Sequence, residues 1–215
     1  MTNKNEEMVL VAPRELVFKL TEPFLGICTD PHVVTTILKQ FSMYHSFERR
    51  GDMETDESYK QLIPYVLVRR GDEVLIYRRL GGGGEGRLHG KVSVGFGGHM
   101  NDVHNEHGQG VRFKEKVMKN LWRELDEELD IAVDRDECRL NFIGVVNDDD
   151  DPLETGKYHL GLVAVLDIPE DAQVNVREDD AHAIRFIKAD RLVDVRDEAE
   201  AWSVHLIDWI GGRGA

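Results

Sequence analysis

Six consecutive residues, Arg123-Glu124-Leu125-Asp126-Glu127-Glu128, bring three glutamates to positions i, i+3 and i+4. On an α-helix that spacing sets Glu124, Glu127 and Glu128 on one face, about a turn apart. Like charges this close repel and destabilise an isolated helix, so something positive has to compensate. Arg123 is one compensator. A hard divalent cation is the other, because carboxylate oxygens are its natural ligands. Read alone, the segment also fits a solvated surface helix with an Arg123–Glu127 pair.

The elements that must position these residues are legible around them. Met118, Leu121, Trp122, Leu125 and Leu129 recur at the spacing of a buried apolar stripe and predict a helix from about Val111 to Leu129. Upstream, Val92 to Phe96 reads as a strand ending in Gly97-Gly98, followed by a loop from His99 to Gly110. Glu115 stands seven intervening residues before Arg123.

Taken together, Glu115, seven residues, then Arg-Glu-Leu-Asp-Glu-Glu-Leu-Asp-Ile resemble the box of the Nudix hydrolase superfamily. That box runs Gly, five residues, Glu, seven residues, Arg-Glu, an aliphatic, any residue, Glu-Glu, any residue, Gly, an aliphatic. Two departures stand out. Position 109, where spacing puts the first Gly, is Gln, and Gly98 is its counterpart across an insertion of about eleven residues, long for such a connection. Asp130 replaces the second Gly; Asp tolerates the left-handed conformation that ends many helices, so the expectation is a left-handed helix end there. Lys60-Gln61-Leu62-Ile63-Pro64-Tyr65 and Arg87-Leu88-His89-Gly90-Lys91 extend the likeness to a MutT-like phosphoesterase branch.

The resemblance implies an α/β fold, a Nudix-like α/β/α sandwich with a mixed sheet and an N-terminal extension. It implies hydrolysis of a diphosphate with Mg²⁺ or Mn²⁺, and it suggests Glu124, Glu127 and Glu128 as ligands, with the Gly98 or Gly97 carbonyl completing the shell. Glu127 or Glu128 would also orient or deprotonate the water, and Arg123 would orient the carboxylates, with Glu115 pairing with it or holding the loop. The general base is a box glutamate or a later acidic residue. Two later clusters offer one, Asp148-Asp149-Asp150-Asp151 with Glu154, and Glu178-Asp179-Asp180; Glu178 is preferred. Acidic runs between strands are otherwise solvated turns.

Basic residues should meet the substrate phosphates. Arg78, Arg79, Arg87 and Lys91 flank the Gly-rich run 81–86, and His99 follows the Gly pair. Neighbours on a strand point to opposite faces, so at most one of Arg78 and Arg79 faces the site. The Gly-rich run is not a nucleotide-kinase loop: Glu85 stands at the first Gly position, and Val92 where a hydroxyl is required. His99, His104 and His107 with Asp102 and Glu106 form a polar loop whose spacing matches no strong zinc pattern. His159, between apolar neighbours, reads as a core histidine, and Tyr158 and Trp202 read as core aromatics.

The remaining chain divides into an N-terminal extension, residues 1–58, packed on a hydrolase domain, 59–215. Glu15 to Leu20 reads as a strand, Pro31 to Phe41 as a helix and Phe47 to Tyr59 as a charged loop. Leu62 to Val68 and Val74 to Tyr77 form a hairpin around Arg70-Gly71-Asp72. Strands follow at 139–146, 158–166 and 183–187, with a closing helix from Glu198 to Ile210.

With 27 Lys and Arg against 41 Asp and Glu, the formal charge is −14, which disfavours nucleic acid and anionic membranes. An anionic small-molecule substrate then needs metal and a local basic patch. Cys28 and Cys138 are too few for a disulfide framework and suit reduced thiols in the cytoplasm. No apolar run reaches the ~20 residues of a membrane span, and Met1 to Glu7 is too polar for a secretory signal. A homodimer is the default assembly. The competing reading is a catalytically silent Nudix-like nucleotide sensor; the intact Arg123, Glu124, Glu127 and Glu128 argue against it. Prenyl diphosphate isomerisation is remote, because neither cysteine lies near the box.

Overall fold

The computed structural model describes residues 4–78, 90–104, 107–151, 155–177 and 183–212. A 3₁₀ turn at Lys4–Glu6 leads into β1 (Met8–Pro13), α1 (Arg14–Val17), β2 (Gly26–Cys28), α2 (Pro31–Tyr44), β3 (Ser46–Arg49) and α3 (Arg50–Met53). The hairpin β4 (Tyr59–Arg70) and β5 (Glu73–Arg78) follows, then β6 (Val92–Ser93), α4 (Phe113–Glu128) and β7 (Leu129–Ile131). After β8 (Arg139–Asn147) come α5 (Thr155–Tyr158), β9 (His159–Ile168), β10 (Val174–Val176), β11 (Ala183–Lys188), a 3₁₀ segment Ala189–Glu198 and α6 (Ala201–Ile210). The architecture is mixed α/β with a mixed sheet, as expected from the sequence.

The chain forms two compact units. The first gathers residues 1–64, 98–123 and 144–162. Here β1 lies antiparallel to β3 and to the start of β4, and β2 pairs with the end of β8. Val9, Leu10, Val11 and Ala12 of β1 are all fully buried, a continuous apolar run of the kind that both faces of a covered strand require. α2 begins where Asp30 caps the His32 and Val33 N–H groups and Pro31 takes the first turn. It presses Ile37 and Phe41 into a core with Leu10, Leu62 and Leu160.

The second unit gathers residues 65–97, 124–143 and 163–215. β11 lies antiparallel to β5, β5 to the end of β4, and β6 to β5; β7 and β10 form a separate ribbon. Gly71 turns the β4–β5 hairpin with φ +57°, a conformation that glycine adopts without strain. Tyr65 donates to Glu200, which also accepts from Ser93 (2.9 and 2.6 Å), and Ser203 Oγ accepts the Val94 N–H. This buried network fixes the strand that runs toward Gly97. Burial pushes the Tyr65 phenol well above its ordinary value, and the Glu200 charge adds to the shift.

Four local expectations are corrected. Glu15 to Leu20 is not a strand: β1 ends at Pro13 and the chain turns through α1, because Pro fixes φ and has no N–H to extend a ladder. Phe47 to Tyr59 is not a loop; β1 supplies a pairing edge to β3, and α3 follows. The closing helix starts at Ala201, because the Glu200 carboxylate is turned into the Tyr65 network and residues 189–198 wind as 3₁₀. Asp130 does not end α4 in a left-handed turn. It lies in β7 opposite Asn175, and the last helical carbonyl, of Glu128, accepts the Arg177 N–H at 3.0 Å. A strand partner has satisfied the helix end that a left-handed cap would otherwise satisfy.

Candidate active site and metal-ligating cluster

Of the predicted apolar stripe, Leu121, Leu125 and Leu129 are buried, Met118 and Trp122 are half-buried, and Val117 joins the buried side. The helix is unbroken from Phe113 to Glu128, so Glu124, Glu127 and Glu128 keep their common face. Glu127 is exposed, and Glu124 and Glu128 are half-buried. Three carboxylates with solvent access on one rigid element form a hard oxygen donor set of the kind Mg²⁺ and Mn²⁺ take. By residue type and common helix face they suit a divalent ion.

The same helix grips the loop after Gly98. Arg123 donates to the His99 carbonyl (2.7 Å) and to Asn120 Oδ1 (3.2 Å). Asn120, fully buried, accepts from the Asn101 N–H (2.9 Å) and donates to the Asn101 carbonyl (3.0 Å). Asn101 in turn donates to Glu7 (2.8 Å), and the Leu10 N–H donates to the Met100 carbonyl (2.7 Å). Residues 99–101 are thus stitched between α4 and β1. Glu115 pairs with Lys119 one turn along rather than with Arg123.

Among the described residues, one group of three brings its ligand atoms within 4.8 Å of one another: Glu54, His99 and His159. Glu54 follows α3, His99 follows the Gly pair and His159 opens β9. The Nε2 atoms of His99 and His159 are 3.3 Å apart and lie 3.3 and 3.6 Å from Glu54 Oε1. Their side chains are 11%, 8% and 18% exposed for His99, His159 and Glu54. Burial pushes the His99 imidazole down to about 4, against the opposing pull of Glu54, so the ring is neutral at pH 7. Burial works to raise the Glu54 carboxyl, but hydrogen bonds from His159 and His99 outweigh it and hold the group far below the usual carboxylate range. Arg50 stands 3.4 Å from Glu54 and shares itself with Glu7.

Buried cationic chemistry backs this cluster. Lys60 is fully buried and donates to Asp149 (2.8 Å) and to the carbonyls of Gly156 (2.7 Å) and His159 (3.2 Å). Arg14 binds Asp149 with both terminal guanidinium nitrogens. The aspartate run is therefore not a solvated turn: Asp148 and Asp151 are buried and Asp149 neutralises Lys60.

Other sequence-selected residues are placed elsewhere or lie outside the described residues. Arg78 pairs with Glu198 and donates to the Gly90 carbonyl (2.7 Å). Lys91 and Gly98 are half-buried. Arg79, Arg87, Glu154, Glu178 and the Gly-rich run 81–86 lie outside the described residues. In the histidine-rich loop, His104 is 3.7 Å from Asp102, which also accepts from Lys116 (2.7 Å). His159 is buried, as a core histidine should be, yet its ring nitrogen faces Glu54 and His99. Glu54 was invisible in the sequence. It sits in a charged stretch with no motif, and only the fold brings its two partners to it.

No protein-family model matches the chain. YmaB of Bacillus subtilis (strain 168) is 40% identical over 208 residues, spanning 95% of this chain and 98% of its own. The crystal structure of Tm1382, a candidate Nudix hydrolase, superposes with a TM-score of 0.76 at 28% identity, covering 96% of this chain and 99% of that one. A bifunctional NMN adenylyltransferase/ADP ribose pyrophosphatase of Francisella tularensis shares the fold alone, at a TM-score of 0.50 and 16% identity over 73% of this chain and 42% of its own. With a full-length relative, a full-length structural match to a candidate Nudix hydrolase and the Glu115–Glu128 pattern on one helix, the chain belongs to the Nudix hydrolase superfamily.

Proposed function

We propose that the protein is a metal-dependent hydrolase that cleaves a diphosphate linkage in a nucleoside diphosphate derivative or related metabolite. The observation that carries this reading is the unbroken α4, which keeps Glu124, Glu127 and Glu128 on one accessible face while Arg123 holds the loop behind Gly98. Glu124, Glu127 and Glu128, with the Gly98 carbonyl, would hold Mg²⁺ or Mn²⁺. When bound, such an ion neutralises phosphate oxygens and lowers the pKa of its water.

The chain's own residues do the rest. Glu127 or Glu128 orients the attacking water and takes its proton, with Glu178 the alternative base. Arg123 is a positioning residue: its bond to the His99 carbonyl fixes the Gly98-His99 backbone relative to the helix. Arg78, Arg79, Arg87, Lys91 and His99 remain the proposed contacts for substrate phosphates, in a chain otherwise too acidic to attract them. Residues 1–58 act as an extension that supplies Glu7, Arg50 and Glu54 beside that backbone. A small-molecule substrate, no nucleic-acid or membrane partner, a cytoplasmic location and a homodimer complete the proposal.

A screen for released phosphate esters or pyrophosphate tests it. Purified protein with Mg²⁺ or Mn²⁺ meets nucleotide sugars, dinucleoside polyphosphates, nucleoside triphosphates and ADP-ribose, with Glu127→Gln in parallel. A hit that is lost in the variant supports the hydrolase. Tight binding without turnover favours the nucleotide sensor instead.

A further inference from the structure

The geometry points to a chemically distinct metal site: Glu54, His99 and His159 bind one first-row transition ion of the Zn²⁺ class through a ligand set that shares no side chain with the carboxylates of α4. The donor set decides the class. Imidazole nitrogen suits Zn²⁺ and its neighbours, whereas Mg²⁺ prefers oxygen and keeps its water. Two histidines and one glutamate are a recurrent zinc set.

Distances decide the fit. Zinc–nitrogen and zinc–oxygen bonds of about 2.0–2.1 Å at a tetrahedral angle place neighbouring ligand atoms roughly 3.3–3.4 Å apart. The three separations here are 3.3, 3.3 and 3.6 Å. The ligand atoms therefore already outline one triangular face of a tetrahedron, with a fourth position left for water.

The backbone that presents the ligands is held from outside. Arg123 grips the His99 carbonyl and Lys60 the His159 carbonyl, so neither histidine is free to drift. Arg50, 3.4 Å from Glu54, opposes a cation, but Glu7 lies 3.4 Å from the same guanidinium and offsets it. The ion would tie three distant segments together: the turn after α3, the loop after the Gly pair and the start of β9.

The test uses the full-length protein, stripped with chelator and titrated with Zn²⁺ in excess Mg²⁺ by calorimetry. One ion per chain is expected, with affinity reduced tenfold or more in Glu54→Gln and His159→Ala and unchanged in Glu127→Gln. Co²⁺ in place of Zn²⁺ should give the ligand-field bands of a four-coordinate ion in wild type and in Glu127→Gln. Should the histidine variant fail to fold, zinc-edge X-ray absorption on wild-type protein counts the imidazoles directly, and two are expected. Absence of Zn²⁺ binding, affinity insensitive to Glu54→Gln, or a zinc shell without imidazole would overturn the site and leave a hydrogen-bonded polar cluster. Because Glu127→Gln should abolish hydrolysis and spare zinc, the failure of either reading is distinguishable from the failure of the other.

Discussion

A carboxylate and an ammonium can look alike in a sequence and carry very different burdens in a fold. Glu127 is exposed on α4, so Glu127→Gln should shift stability by less than about 0.5 kcal/mol. It should lower turnover by about 10²-fold or more if the residue helps to move the proton. Near-wild-type kcat, read beside an unchanged melting curve, removes Glu127 from the chemistry. Lys60 is the opposite case, fully buried against Asp149. Asp149→Asn strands that ammonium and should cost about 3 kcal/mol, while Lys60→Met, which leaves Asp149 its Arg14 partner, should cost clearly less. Urea midpoints of the two variants decide the order; a larger loss for Lys60→Met would mean that packing, not charge pairing, dominates there.

At the scale of elements, the strand toward Gly97 and the exit of α4 are each held by a partner from far along the chain. A Cβ added at Gly95 would meet the Tyr65 ring at 2.3 Å, and that ring is hydrogen-bonded at its far end to Glu200. Gly95→Ala should therefore destabilise by about 1–3 kcal/mol, and Tyr65→Phe by about 1 kcal/mol. Thermal melts check both, and an alanine variant as stable as wild type would mean the ring yields. At the exit of α4, Asp130 lies in a strand and binds Arg177 at 2.9 Å. Asp130→Gly should cost about 1 kcal/mol, since glycine weakens a strand and the exposed ion pair adds little. Stabilisation by the glycine would revive the left-handed helix end.

For the molecule as a whole, stability should respond to pH at both ends of the range. Burial would raise the Asp149 carboxyl, but hydrogen bonds from Arg14 and Lys60 bring it from 3.8 to about 2. Its contribution is complete above pH 3.8 and disappears as pH falls toward 2, a loss of roughly 1–2 kcal/mol that Asp149→Asn should not show. Burial pulls the Lys60 ammonium from 10.5 down to about 8, against Asp149, which pulls it back. The unfolded chain then holds more protons between those values, so stability should rise with pH across that window. Lys60→Met should lack the rise, and denaturation curves from pH 7 to 11 would show it. Chelation should abolish turnover, and Mg²⁺ or Mn²⁺ should restore it.

Local rules reach as far as local physics does. The spacing of three glutamates over an apolar stripe determined helix α4 and its buried face, because helical periodicity is written in neighbouring residues, and the motif from Glu115 to Ile131 carried the resemblance to the superfamily. The β4–β5 hairpin was legible for the same reason, in a glycine turn between apolar strands. Tertiary structure alone decided that Glu54, out of a motif-free charged stretch, would meet His99 and His159. It decided that the aspartate run would neutralise a buried lysine, and that Arg177 would finish the helix in place of a left-handed turn. Each depends on a partner distant in the chain, and a buried charge or an open carbonyl takes whichever partner folding brings within hydrogen-bond reach.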